Sequence, residues 1–230
     1  MSTPHPPHQP LYKYNKLEHI QNLTRYGKIR VGTLHAFRDR ERYSQMIADK
    51  DEGVKLLTEV VPGLTKDTYA PLTRRVFGIP IGTAPPRDVV IRNNRITELR
   101  ETKDLWMYCT SETVMSIEAA REVMNPTYDA VAVIHDPDCF GDLIARVLHQ
   151  RHRITDTWYK ARVTYGERER TTQQDDGIDP AILKPLIFSR QNEWRFMFVT
   201  HEPIKQPHID LDIPELVSCC RILQDEEIPK

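Results

Sequence analysis

The stretch FSRQNEWRFMF, Phe188 to Phe198, decides how the chain is read. Along an extended strand successive side chains point to opposite faces. That sets Asn192, Trp194, Phe196 and Phe198 on one side and Gln191, Glu193, Arg195 and Met197 on the other. The first group calls for a core. The second aligns an amide, a carboxylate and a guanidinium on the opposite face of a hydrophobic strand. An exposed Glu-Arg pair contributes little to stability, so two readings stand here: a wetted outer face, or the wall of a site.

Outward from this strand the pattern is α+β. Toward the C-terminus, HIDLDI (208–213) and LVSCCRIL (216–223) read as closing strands. Toward the N-terminus lie a polar loop, GERERTTQQDDGID (166–179), and the strand TWYKARVTY (157–165). Before them Asp136-Pro137 opens a helix, with Asp136 as N-cap, Pro137 at the first helical position and Asp138 near the positive end of the dipole. Its buried stripe is Phe140, Leu143, Ile144, Val147 and Leu148. DAVAVIH (129–135) is apolar on both faces and reads as a central strand. LWMYCTS (105–111) is a strand that runs into a helix from about Thr113 to Met124, with Val114, Ile117 and Ala120 on one face.

Residues 54–100 hold β-prone pieces broken by Gly63, Pro71, Pro80, Gly82 and Pro85-Pro86, and read as an antiparallel insertion with a hairpin turn at Asn93-Asn94. The segment His35 to Gly53 is dense in charge and reads as loop or irregular helix. The chain begins with a proline-rich tail (1–10), the short strand LYKYN (11–15), a helix with Leu17, Ile20 and Leu23 inward, and a second strand, KIRVGTL (28–34). Asn15 and Glu18 have the spacing of a capping box, and Gly27 stands where a helix C-cap belongs. The expectation is a tail followed by one domain, 11–230, of mixed and largely antiparallel sheets with about three main helices.

Composition removes several function classes. With 32 Lys+Arg against 33 Asp+Glu, nothing global draws phosphate backbones or anionic membranes. No apolar run is long enough to span a bilayer and no secretory leader is evident, so the reading is a soluble, cytoplasmic protein. Cys109, Cys139, Cys219 and Cys220 lack metal-ligand spacing and read as reduced thiols. HDPDC (135–139) has metal-ligand residue types, but helix capping by Asp136 explains it better. Asp49, Asp51 and Glu52 before Gly53 lack the alternating spacing of a calcium loop, so no metal ligand is assigned. Phosphate-binding glycine loops, nucleophile elbows and zinc-protease motifs are missing from the sequence.

What gives the Gln191, Glu193, Arg195 face a functional reading is its company. Lys13, Arg30 and Thr33 on the first two strands and Thr110-Ser111 at the end of LWMYCTS put further polar groups at strand ends. A cleft with a carboxylate, basic groups and hydroxyls can bind a sugar and a phosphate together.

On the pieces Leu11 to Tyr14, Gly27 to Arg38, Asp49 to Gly53 and Gln191 to Arg195, the chain resembles an uncharacterised family of small bacterial proteins that close with a Gln-x-Glu-aromatic-Arg strand. More distantly it resembles the ADP-ribosyltransferase fold, with its split β-core, Arg or His on the first strand, a Ser-Thr-Ser-like middle motif and a late Gln-x-Glu. That resemblance implies NAD as substrate and a macromolecular acceptor, protein or nucleic acid. It further implies Glu193 as catalytic carboxylate, Gln191 orienting the acceptor, Arg195 beside them, Ser111 and Tyr14 flanking nicotinamide, Arg30 or Arg38 on the pyrophosphate, and Lys13 or Arg30 in place of the first-strand Arg or His. A toxin or phage-defence effector would suit such a protein, and a homodimer stays open. Two other readings stand beside it. One is a non-catalytic nucleotide or nucleic-acid binding module using Arg38, Arg40, Arg42, Arg146, Arg151 and Arg153 with Tyr43, Trp158 or Tyr159 as stacking platforms. The other is a metal-dependent nuclease using Glu41, Asp49, Asp51 and Glu52.

Overall fold

A computed structural model describes residues 9–38, 49–63 and 92–229. It is α+β, with mostly antiparallel pairing and three α-helices among the described residues. The strand predicted at the end of FSRQNEWRFMF is β11 (Glu193–Thr200), and its alternation holds. Phe196 and Phe198 are fully buried in the main core, while Glu193, Arg195 and Met197 face the other way. Phe188 to Gln191 are not strand: Leu186–Gln191 is a 3-10 turn, closed by Asn192 in a left-handed conformation (φ 44°) that swings the chain into β11.

The main sheet is built around β5 (Trp106–Ser111). One edge of β5 pairs with β11 along its whole length, from Glu193 opposite Ser111 to Phe198 opposite Trp106. β7 (Ile154–Arg162) continues the sheet beyond β11. The other edge of β5 is shared. β2 (Lys28–Thr33) pairs with its start at Met107 and Trp106, and β1 (Leu11–Asn15) with its end at Ser111. Neither pairing reaches Tyr108, Cys109 or Thr110, so the sheet divides at that edge. β12 (His208–Asp212) extends the β2 arm; β6 (Ala130–Ile134) and β13 (Cys220–Ile222) extend the β1 arm. All five β6 residues are buried, as their two-sided apolarity requires.

Helices α1 (Leu17–Tyr26) and α3 (Pro137–His152) cover one face, where Ile20, Leu23, Phe140, Ile144 and Leu148 meet Tyr108, Phe196 and Phe198. The α3 start is as predicted: Asp136 Oδ1 accepts from the Cys139 N–H at 3.0 Å, with Pro137 at the first position. The α1 start is not. Its N-cap is Lys16, no Asn15-Glu18 box forms, and the Leu17 N–H donates instead to Asp129 Oδ1 at 2.5 Å. A carboxylate 112 residues distant thus does the capping, which local spacing cannot reveal. Gly27 ends the helix at φ 66°, as expected. α2 (Ile117–Val123) begins later than expected because Ser116 caps it, accepting from the Ala119 N–H at 3.2 Å.

A separate three-stranded sheet is formed by β3 (Val54–Gly63), β4 (Arg92–Glu101) and β9 (Glu169–Thr171). The antiparallel pairing of β3 with β4 agrees with the reading of 54–100. Asn93-Asn94 is not a turn, since both lie inside β4 and Asn94 pairs with Val61; residues 64–91 are outside the described residues. β9, which pairs parallel to β3, falls in what reads as polar loop. TWYKARVTY breaks at Val163 into β7 and β8 (Thr164–Tyr165), the latter parallel to β10 (Leu183–Lys184). LVSCCRIL supplies only β13, because Pro214–Ser218 winds into a 3-10 turn. The tail residues 1–8 and the charged segment 39–48 also lie outside the described residues. No described helix is long and apolar enough to cross a membrane.

Candidate functional site

On the sheet face turned away from α1 and α3, alternation presents Met107, Cys109 and Ser111 from β5 and Glu193, Arg195 and Met197 from β11. Beside the division between β1 and β2 this face opens into a cavity of about 100 Å³. Its polar wall holds Lys13, Ser111, Lys184, Gln191, Glu193 and Arg195, with Glu52 behind them. Tyr12, Tyr14, Phe37, Met124 and Tyr128 give it an apolar and aromatic side.

Glu193 is the hub. Its Oε1 accepts from Arg195 Nε at 2.8 Å and its Oε2 from Lys184 Nζ at 2.7 Å. Burial alone would push this carboxyl up, but Arg195 and Lys184 outweigh it and hold the group well below its ordinary range. Arg195, 1 % exposed, also donates from Nη1 to Glu52 Oε1 at 2.8 Å and to the Ala181 carbonyl. Lys184 donates in addition to Gln191 Oε1 at 2.9 Å and sits 4.8 Å from the centre of the Phe188 ring. The Glu193 N–H donates to the Tyr165 hydroxyl oxygen at 2.8 Å, which fixes the start of β11.

A different environment surrounds Lys13. Its ammonium enters the division between β1 and β2, donates to the Cys109 carbonyl at 2.8 Å and lies 4.5 Å from the centre of the Tyr108 ring. Among the described residues no carboxylate bonds it directly, and burial lowers its pKa. Ser111 Oγ donates to the Gln191 carbonyl at 2.9 Å and thereby ties the end of β5 to the turn before β11. Tyr14 anchors the wall: its hydroxyl accepts from the Met115 N–H at 2.6 Å, and burial raises its pKa to about 12.

Lys13, Tyr14, Ser111, Gln191, Glu193 and Arg195 therefore meet at one cavity, and the wetted-face reading of Glu193 and Arg195 is wrong. Three other expected residues stand apart. Arg30 is exposed and makes a two-pronged pair with Asp210 at 2.8 and 3.0 Å, on the β2 arm beyond the division of the sheet. Thr33 is buried and accepts from the Ala36 N–H at 3.1 Å, capping the 3-10 turn His35–Arg38. Arg38 reaches the Glu52 carbonyl from Nε at 2.8 Å and Glu101 from Nη1 at 2.7 Å, so it supports Glu52 from behind.

Lys184, Glu52, Tyr165 and Phe37 are among the wall and support residues that the sequence reading misses or assigns elsewhere. For Lys184 the signal is present: it is the one charge in AILKPLIF (181–188), where a buried ammonium needs a buried partner. Glu52 belongs to Arg195, and Asp49 is bound by both terminal nitrogens of Arg168, so neither is free to hold a metal. Among the described residues no three His, Cys, Asp or Glu side chains group to bind one. Glu41, Arg40, Arg42 and Tyr43 lie outside the described residues. Arg146 pairs with Glu215 at 2.8 Å. Trp158 stacks on Phe196 and Phe198 and donates to Asp142 at 2.8 Å, which removes it as a base-stacking platform; Tyr159 is exposed.

Comparison with protein-family models, curated proteins and solved structures finds no match to this chain.

Proposed function

We propose that the protein is an NAD-using enzyme of ADP-ribosyltransferase type, which cleaves the bond between nicotinamide and ribose and passes the ADP-ribosyl group to water or a macromolecular acceptor. The observation that carries this is convergence. A first-strand residue pair, a mid-chain serine and a late Gln-x-Glu, spread over 180 residues, line one cavity, with Glu193 directly opposite Ser111 across paired strands.

Cleavage of a glycosidic C–N bond passes through an oxocarbenium-like state, and a fixed carboxylate stabilises that developing positive charge. Glu193 suits the task because it stays ionised and each of its oxygens gives only part of its acceptor capacity to Lys184 or Arg195. Because it is held ionised, it works by electrostatics and not as a proton donor. Arg195 and Lys184 are positioning residues that act through Glu193. Gln191 is spoken for by Lys184 and the Val123 carbonyl, so it orients Lys184 and not the acceptor. The aromatic side takes the nicotinamide ring. A cavity of about 100 Å³ is small beside the roughly 300–1,000 Å³ of sites that enclose drug-sized ligands, so it receives the nicotinamide end and leaves the adenylate outside.

One observation favours a second reading, a non-catalytic nucleotide-binding module. The wall sets Lys13, Lys184 and Arg195 against Glu52 and Glu193, an excess of one formal positive charge that attracts an anion without chemistry. Incubation with NAD labelled in the adenylate phosphate separates the two. Label appearing in free ADP-ribose or in a macromolecular fraction supports the enzyme; label that is bound but recovered wholly as intact NAD supports the module.

A further inference from the structure

The opposite face of the sheet carries a feature the cavity does not use. Cys139, in the first turn of α3, and Cys219, at the end of the 3-10 turn Pro214–Ser218, have their sulfurs 3.1 Å apart as free thiols. Their backbones are fixed from several sides. The Cys139 N–H donates to Asp136 at 3.0 Å, the His135 N–H to the Cys219 carbonyl at 3.0 Å, and the Cys219 N–H to the Leu216 carbonyl at 2.9 Å. Pairing of Cys220 with Ile134 holds the start of β13 against β6. A disulfide needs the sulfurs at about 2.05 Å, so closure asks for about 1 Å of sulfur movement between anchored chains.

The two thiols differ in a useful way. Cys139 is partly exposed, in the N-terminal turn of a 16-residue helix. Cys219 is 1 % exposed, and burial pushes its thiol up to about 12. Cys139 is thus the sulfur an oxidant meets first, and Cys219 the one placed to resolve it.

We propose that Cys139 and Cys219 are an oxidisable dithiol that closes to an intramolecular disulfide on exposure to hydrogen peroxide. The Cys139 thiolate attacks one peroxide oxygen; the O–O bond breaks, and the departing hydroxide takes the thiol proton to become water. The Cys139 sulfenic acid is then attacked by the Cys219 sulfur, the S–O bond breaks, and the sulfenic oxygen leaves as a second water with the Cys219 proton. Two thiols and one peroxide give one disulfide and two waters; the sulfurs lose two electrons, which the peroxide gains. Cys109 lines the cavity on the other face of the sheet, where burial pushes its thiol up, and takes no part.

The test treats the folded protein with limiting hydrogen peroxide, then unfolds it in guanidinium chloride with N-ethylmaleimide so that every remaining thiol is blocked, and maps peptides without reduction. Two adducts, on Cys109 and Cys220, with a Cys139–Cys219 crosslinked peptide, are expected. Because Cys219 and Cys220 are adjacent, C220S is expected to keep the link while C139S and C219S lose it. The oxidised wild type should melt roughly 5–10 °C higher than the reduced form, as a bridge formed within the native state does. Four adducts after peroxide, a link through Cys220, Cys139 over-oxidised without a link, or a bridged form that melts lower would overturn the proposal. It stands apart from the NAD reading, so failure of either leaves the other in place.

Discussion

Lys184 Nζ stands 2.7 Å from Oε2 of Glu193, and both side chains are nearly closed to solvent. A buried carboxylate is tolerated only when paired and hydrogen-bonded, and this one is held from two sides, by Lys184 and by Arg195. The ionised state of Glu193 is thereby built into the fold, and stability and chemistry both follow from it.

The first consequence is the pH dependence of stability. The folded-state pKa of Glu193 is lowered from the ordinary 4.5, so its contribution is fully present above that value and is lost as pH falls through the depressed range. Exposed Glu227 and Asp176, each lowered to about 2, act in the same direction. Thermal midpoints should be level from pH 7 to about 5 and fall steadily below about 4.5, with a shallower fall in Glu193→Gln. Midpoints that hold or rise on acidification would contradict the pairing.

Removal of the shared guanidinium should be costly. Arg195→Met leaves Glu193 and Glu52 facing each other without it, and the expected loss is about 3–5 kcal/mol in urea unfolding at pH 7. Glu52→Gln should cost distinctly less, because Arg195 keeps Glu193 and the Ala181 carbonyl. Equal losses in the two variants would mean that Glu193 is not what Arg195 chiefly holds.

Two glycines separate backbone strain from packing. Gly27 and Gly177 have positive φ of 66° and 73°, but a Cβ on Gly27 would lie 2.0 Å from the Ile213 carbonyl oxygen, while one on Gly177 meets nothing within 4 Å. Gly177→Ala should cost about 1 kcal/mol for the left-handed conformation. Gly27→Ala should cost at least twice that, because the Ile213–Pro214 backbone must shift. Chemical denaturation of the pair checks the difference.

Gly27 was legible in the sequence, as were Asp136-Pro137, the two-sided apolarity of β6 and the alternation from Glu193 to Phe198, because each is written in residues a few positions apart. The rest depends on distant partners. Glu52 and Arg195 are 143 positions apart, and no spacing rule connects them. The Asn15-Glu18 pattern misleads because Asp129 supplies the cap instead. Of the candidate site, Glu193 and Gln191 were readable as polar groups on the face opposite the core side chains, and Ser111 and Lys13 as polar groups at strand ends. Arg30 was not separable from them, since only the pairing of β2 with β12 sets it opposite Asp210.

If Glu193 acts as a fixed anion, the turnover rate with NAD should be level from about pH 5 to 8, since no ionisation of this carboxylate falls in that window. A rate that falls away on the acid side with a midpoint between 5 and 6 would show a carboxyl that titrates during catalysis and would remove this role.

The measurement that reaches the central claim most directly is free nicotinamide released from NAD by the wild type and by Glu193→Gln, each first shown to unfold cooperatively. The account predicts steady nicotinamide formation by the wild type and a rate at least about 100-fold lower in the variant. Equal rates in the two proteins, or no nicotinamide from either, would contradict it.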